Sequence, residues 1–313
     1  MKLKQHCALT AARTAALAAS TAAAADAELN PIVVTATRQA TRANELMADV
    51  TVIDREEIEQ AGQTPIEQLL SRQPGIQYTA NGGPGTNSGI FIRGASPKQS
   101  IVLVDGQRFG SATSGDATIS RIPLSQVERI EILRGPASSL YGADAIGGVI
   151  QIFTRKGDGE PRLNASTGIG TYNTTDTSVG LSGSNEIVSY SLQAGHYSTD
   201  GVSAIHNKSS SSYNPDRDGY RNDSLSGSLA VRPASGHEIG VNFLASDGTS
   251  RYDSTPKARD FKSDQDVAAY SIYSRNKLHQ NWTSTVRLGR STDDLTTLRS
   301  GTKLSEFNTT QDQ

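Results

Sequence analysis

Hydrophobic positions follow one rule in the first half of the chain and another in the second. Thr51-Val-Ile-Asp54 is an apolar run that predicts a strand, and Arg55-Glu-Glu-Ile-Glu-Gln60 predicts a short helix stopped by Gly62. Thr64 is a good N-cap, with Pro65 at the first helical position and Glu67 at the third. Ile66, Leu69 and Leu70 give that helix an apolar side, and Pro74-Gly75 ends it. Ile90-Phe-Ile-Arg93, Ile101-Val-Leu-Val104, Val127 to Leu133 and Val149 to Phe153 predict strands, with Asp105-Gly106 as a tight turn after the second. Residues 40–155 therefore read as a small α+β domain with its own core.

After Lys156 the helical periods vanish. Polar and apolar residues alternate, with Gly, Ser, Asn and Asp between segments. Leu225, Gly227, Leu229 and Val231 share one face; Ile239, Val241, Phe243 and Ala245 repeat the pattern, as do Trp282, Ser284, Val286 and Leu288. Similar segments span Leu163–Ile169, Val179–Gly183, Val188–Ala194 and Val267–Tyr273. An outer-membrane barrel strand needs ~9–11 residues with one face toward lipid, and these segments suit it. The alternation alone fits a soluble β-sandwich or a secreted solenoid equally well.

The start of the chain is a separate element. Lys2 and Lys4 precede an Ala-rich apolar stretch, and Ala23-Ala24-Ala25 offers a cleavage site before Asp26. Residues 1–25 thus read as a secretory signal peptide. Its removal takes away Lys2, Lys4, Arg13 and the single cysteine, Cys7, leaving 27 basic and 32 acidic residues. That balance argues against nucleic acid as a partner, since phosphate binding needs a basic face. One cysteine excludes a disulfide framework. HExxH, GxxxxGK[ST] and GxSxG motifs are absent, and the five histidines show no metal-ligand spacing, so no enzyme is predicted.

Residues 31–153 are more specific. Pro31-Ile-Val-Val-Thr-Ala36 looks like a TonB box, within a segment spanning 26–39. Gln73-Pro-Gly-Ile76, Ile90-Phe-Ile-Arg-Gly94, Val102-Leu-Val-Asp-Gly106, Val127-Glu-Arg-Ile-Glu-Ile-Leu-Arg-Gly-Pro136 and Tyr141-Gly-Ala-Asp-Ala-Ile-Gly-Gly-Val-Ile150 follow in order. Together they resemble the plug of TonB-dependent outer-membrane receptors. Asn81-Gly-Gly-Pro-Gly85 and the acidic stretches further on resemble the cobalamin (vitamin B12) receptors among them. The resemblance implies an α+β plug domain followed by an antiparallel transmembrane β-barrel of 22 strands. Residues 156–313 supply only about seven or eight of those strands, so the chain reads as an N-terminal fragment.

The same resemblance implies a location in the bacterial outer membrane, contact with its lipid, TonB as the periplasmic partner and cobalamin as the transported ligand. A ferric siderophore or another scarce nutrient is the alternative cargo. Ile32-Val33-Val34-Thr35 is short and β-prone, suited to adding as a strand to a partner's sheet edge, or to an ordinary edge strand of the plug. Arg93 and Arg134 are candidates for plug–barrel contacts, with exposed arginines as the alternative.

Asp216-x-Asp218-Gly219 places two carboxylates on one side of a turn, as oxygen-only calcium sites do. Two carboxylates about 6 Å apart repel by roughly 3 kcal/mol at an effective dielectric of 20, so gathering several calls for a cation. The resemblance extends the calcium set to Asp200, Asn214, Asp216, Asp218, Tyr252 through its carbonyl, Asp253 and Asp260. Asn214 departs from the Gln of the resembled receptors, which shortens its reach. For cobalamin the resemblance points to Asn87, Gly89, Ser96, Thr113 and Ser114 at the plug apex and Ser254 in a loop.

Overall fold

The computed structural model describes residues 33–34, 41–42, 48–62, 65–111 and 117–313. The expected signal peptide and Thr64 lie outside them. β1 (Val33–Val34) pairs antiparallel with β2 (Thr41–Arg42). Next come β3 (Asp49–Ile53), α1 (Arg55–Gln60), α2 (Ile66–Ser71), β4 (Ile76–Ala80) and β5 (Ser88–Ile92). β6 (Ser100–Val104), β7 (Gln107–Arg108), β8 (Val127–Arg134), α3 (Ser138–Tyr141) and β9 (Gly148–Thr154) complete the first half.

Local chemistry sets these elements. Asp54 caps α1 by accepting the Glu57 N–H at 3.0 Å, with Glu56 and Glu57 in the first turn favouring the helix dipole. Ile58 is the one buried residue of that helix. α2 buries Ile66, Leu69 and Leu70, as its spacing predicts, and also Glu67, which its spacing does not. Strands form a five-stranded sheet in the order β3-β8-β9-β6-β7, with β6 and β9 parallel; β4 and β5 make a separate hairpin. Ile130, Ile132, Ile150 and Ile152 of the two central strands are buried in the core.

From Arg162 onward the chain is a single antiparallel meander: β10 (Arg162–Gly170), β11 (Thr174–Ser184), β12 (Val188–Thr199), β13 (Tyr220–Ala234), β14 (His237–Tyr252), β15 (Phe261–His279), β16 (Trp282–Arg299) and β17 (Thr302–Asp312). Its two faces are inside out for a water-soluble sheet. Leu229 faces Val241, Val241 faces Ile272 and Ile272 faces Leu288, an apolar row open to the surroundings. On the other face Gln193, Ser226, Ser246, Ser271 and Ser291 are buried. Lipid outside and a polar lumen inside produce this inversion. It separates the barrel wall from the sandwich and solenoid that alternation left open.

Leu244, Val267 and Ala269 of the wall are exceptions that join the plug's apolar core. The long connections, 200–219 and 253–260, lie at one end of the wall; the turns 185–187, 235–236 and 280–281 lie at the other. In an outer-membrane barrel the long loops face outward and the short turns face the periplasm. β10 and β17 are the two edges of the eight-stranded sheet, so the barrel is not closed within this chain.

Candidate functional site

Three carboxylates meet at the long-loop end. Asp216 and Asp218 come from the loop 200–219, and Asp253 directly follows β14. Because β13 and β14 pair with Tyr220 opposite Ser250, the two loop segments leave the wall side by side. One oxygen of each carboxylate lies within 4.8 Å of the others. Asp218 Oδ2 accepts from the Ala204 N–H at 2.8 Å, and Asp253 Oδ2 accepts from the Ile205 N–H at 3.2 Å. Asp216 Oδ1 and Asp253 Oδ1 are buried without a hydrogen-bond partner.

Burial pushes the Asp218 carboxyl up to about 6, and the charges of Asp253 and Asp216 push the same way against its backbone hydrogen bond. Burial also raises Asp253, helped by Asp216. Orphaned acceptor oxygens and disfavoured ionisation are what a hard divalent cation corrects. The donor set fits calcium: oxygen ligands only, on two adjacent loops.

The carboxylates of Asp200 and Asp260 do not join this cluster. Asp200 Oδ2 accepts from Arg217 Nη1 at 3.1 Å and from Asn173 Nδ2 at 2.7 Å. Asn214 donates to the Arg259 carbonyl at 3.4 Å, and Asp260 lies 3.9 Å from Arg251 Nη1. The Tyr252 ring packs on Phe261. Arg217, between the two aspartates of the motif, thus neutralises Asp200, a role the spacing of carboxylates alone did not suggest.

The plug reaches this site through the β4–β5 connection. The Gly85 carbonyl accepts from Ser250 Oγ at 2.8 Å, and Gly83 lies beside the Asp218 carbonyl. Asn87 is exposed at the end of that connection, where its carbonyl accepts the Asn81 N–H at 3.0 Å. Gly89 sits on β5 opposite Thr79, with Pro97 so close that a side chain would not fit. Ser96 precedes the turn Pro97–Gln99 and donates its N–H to Gln99 Oε1 at 3.0 Å. Ser254 is half-buried next to Asp253. Thr113 and Ser114 lie outside the described residues.

Elsewhere the plug motifs take concrete roles. Asp105 and Gly106 both have positive φ, 49° and 80°, as the tight turn demands. The Asp105 carboxylate then accepts from Thr154 N at 3.2 Å and Thr154 Oγ1 at 2.6 Å, stapling the end of β9. Arg134 is buried and contacts Asp49 Oδ1 at 3.2 Å and Thr51 Oγ1 at 2.7 Å; Arg93 is exposed and pairs with the same Asp49. Both arginines use the plug carboxylate Asp49, and Arg134 Nε and Nη2 are buried without a hydrogen-bond partner. Arg121 is the guanidinium that enters the wall: it is fully buried, and its Nη2 donates to Ser250 Oγ at 3.1 Å. Val33 and Val34 of the expected TonB box form β1, paired to β2; Pro31, Ile32, Thr35 and Ala36 lie outside the described residues.

Comparison with known proteins agrees with this architecture. The family model for the TonB-dependent receptor plug domain matches residues 42–149. A vitamin B12 transporter BtuB of Vibrio cholerae is 32% identical over 264 residues, covering 82% of this chain and 42% of that protein. One from Photobacterium profundum is 32% identical over 267 residues, covering 83% and 43%. The chain thus spans less than half the length of the curated relatives it matches. Among solved structures, the ferric enterobactin receptor PfeA of Pseudomonas aeruginosa superposes with a TM-score of 0.66 at 22% identity, covering 90% of this chain and 46% of that one. The alcaligin receptor FauA of Bordetella pertussis gives 0.67 at 14% identity, covering 84% and 42%.

Proposed function

This chain belongs to the TonB-dependent receptors of the bacterial outer membrane, and from that premise we propose that the intact receptor takes up cobalamin with TonB as its energy-coupling partner. The observation that carries the cargo is the 32% identity to vitamin B12 transporters across 82% of the chain, plug and loop-bearing strands together. Likeness to the siderophore receptors is below 25% identity and speaks to fold alone.

In this reading Asp216, Asp218 and Asp253 hold calcium, which supplies the positive charge that lets three carboxylates share one site. Asp200, Asn214, Tyr252 and Asp260 complete the shell on rearrangement of the loops. The ordered loops form the lid of a bed made by Asn87, Gly89, Ser96, Thr113 and Ser114 on the plug, with Ser254 at its edge. Segment 26–39 lends Pro31 to Ala36 to TonB by strand addition, main chain to main chain. Residues 1–25 are the leader, 40–155 the plug and 156–313 the first part of the barrel. No step makes or breaks a covalent bond.

The test is equilibrium binding of cyanocobalamin to the full-length receptor in outer membranes, with calcium and with chelator. Tight binding that weakens on chelation is the expected result. Binding indifferent to chelation removes calcium from the account, and no binding under either condition removes cobalamin.

A further inference from the structure

The bed proposed for the cargo is tied to the wall at Ser250. Its apex connection, 81–87, closes on itself: the Asn81 N–H donates to the Asn87 carbonyl at 3.0 Å, and Thr86 Oγ1 donates to the Gly83 carbonyl at 2.8 Å. Gly85 then lies close against the wall. Its φ is 70°, and a Cβ there would come within 2.2 Å of the Tyr220 ring and 2.5 Å of Ser250 Oγ. Ser250 Oγ donates to the Gly85 carbonyl at 2.8 Å.

A second plug segment reaches the same hydroxyl. The stretch carrying Thr113 and Ser114 leads to Thr118, whose Oγ1 donates to Asp293 Oδ2 at 2.7 Å, and on to the turn Ile119–Arg121. Arg121 Nη2 donates to Ser250 Oγ at 3.1 Å, and its guanidinium carbon stands 5.1 Å from the Tyr220 ring centroid. Tyr220 Oη donates to the Ser120 carbonyl at 3.1 Å, and Asn222 Nδ2 donates to the Arg121 carbonyl at 3.4 Å. A Cβ on Gly248 would lie 2.0 Å from Arg121 Nη1, so this glycine opens the wall for the guanidinium.

An anchor alone does not need a cation. Arg121 Nε and Nη1 are buried with no hydrogen-bond partner among the described residues. A buried cation in that state adds little to stability, and an apolar side chain of similar size would serve packing as well. What the guanidinium does supply is direction. Donating into Ser250 Oγ, it turns the hydroxyl's own proton toward Gly85 and strengthens that bond.

Ser250 and its cross-strand partner Tyr220 also lead into the carboxylate cluster. Asp218 stands two residues before Tyr220, and Asp253 stands three after Ser250. The Arg251 N–H donates to the Gly219 carbonyl at 2.9 Å, which continues the pairing toward the loops. Movement of Asp218 and Asp253 toward a shared cation is therefore felt at the strand ends that hold Gly85.

We propose that Arg121 is a positioning residue: through Ser250 Oγ it fixes the apex connection to the strand ends next to the carboxylate cluster, and the cluster and the cargo bed are coupled through that link. The inference rests on the calcium and cobalamin reading above and adds the residues that join the two sites.

The full-length receptor carries the test, as the parent, Arg121→Met, Ser250→Ala and the double variant. Cyanocobalamin binding is measured in outer membranes with calcium and with chelator, and binding of radioactive calcium is measured without cobalamin on the purified receptor. Each single variant is expected to lose about fivefold or more of the calcium-dependent gain in cobalamin affinity, while calcium affinity alone and cobalamin affinity in chelator stay within about twofold. The double variant is expected to match the singles, because Arg121 acts through Ser250. A full calcium-dependent gain in Ser250→Ala overturns the proposal, and that variant decides the matter where Arg121→Met fails to insert. Additive losses in the double variant place Arg121 outside the Ser250 link and overturn it. Equal losses with calcium and with chelator mark a structural role and overturn it too. A parent whose cobalamin binding ignores calcium overturns the reading beneath the proposal, and the proposal with it.

Discussion

Glu67 lies on α2 and is 2% exposed. Burial lifts its carboxyl from 4.5 to about 7, although a backbone hydrogen bond and the charge of Arg121 oppose the rise. The folded plug therefore binds this proton more tightly than the unfolded chain does. Stability is highest below about pH 4.5, falls as pH climbs to about 7, and is level beyond. The gap between the two values corresponds to about 3 kcal/mol. Glu67→Gln keeps the shape and deletes the charge, so it removes that loss. At pH 7.5 the variant plug is expected to be about 3 kcal/mol more stable than the parent, and at pH 4.5 equal to it. Urea series on the full-length receptor in detergent, equilibrated at each pH, supply the assay. They are read by a hydrogen-exchange pulse at fixed pH on the α2 and β8 amides. Parallel pH curves for parent and variant, or a variant less stable at neutral pH, would refute the reasoning and show Glu67 acting as an ionised partner of Arg121.

Other expectations follow from single contacts. Asp105→Ala leaves the buried Thr154 N–H and hydroxyl without their acceptor and is expected to cost the plug about 2–4 kcal/mol, seen as an earlier urea midpoint. Gly248→Val displaces Arg121 from the wall, and protease cleavage within 118–126 is expected to appear where the parent resists. Ile272→Arg places a charge in the lipid-facing row and is expected to cost about 2–4 kcal/mol of folding into vesicles, whereas the lumen-facing Ser271→Thr is expected to cost little. Val33→Pro removes a main-chain donor and is expected to abolish uptake and TonB cross-linking while cyanocobalamin binding at the surface persists.

The barrel strands were legible because alternation is strong where lipid lies on one side. All seven segments read from the pattern lie within β10 to β16. β17 was not read, since Leu304 and Phe307 are its only large apolar residues. Strand lengths also outran the pattern: β15 spans Phe261–His279, while only Val267–Tyr273 alternates clearly. Hydrogen-bond pairing continues past the apolar band into polar sequence that carries no periodic signal. In the plug, β4 was missed because Ile76 and Tyr78 alone mark its face.

At the site, Asp216 and Asp218 stood out because their spacing next to a strand start brings two carboxylates together, whereas Asp253 came from the resemblance alone. The fate of Asp200 and Asp260 was not legible, because it depends on where Arg217 and Arg251 reach in space. Arg121 was missed for a similar reason: nothing in Ile119-Ser-Arg-Ile122 distinguishes a buried anchor from a surface arginine. Gly248, a glycine within the long strand β14, was the available hint of a close approach from the plug.

The central claim is energy-coupled uptake of cobalamin, and transport of radiolabelled cyanocobalamin into cells carrying the full-length receptor tests it most directly. Accumulation is expected in cells with TonB, with only surface binding in cells lacking TonB. Equal accumulation in both strains would contradict coupling, and no accumulation alongside saturable uptake of a ferric siderophore would contradict the cargo.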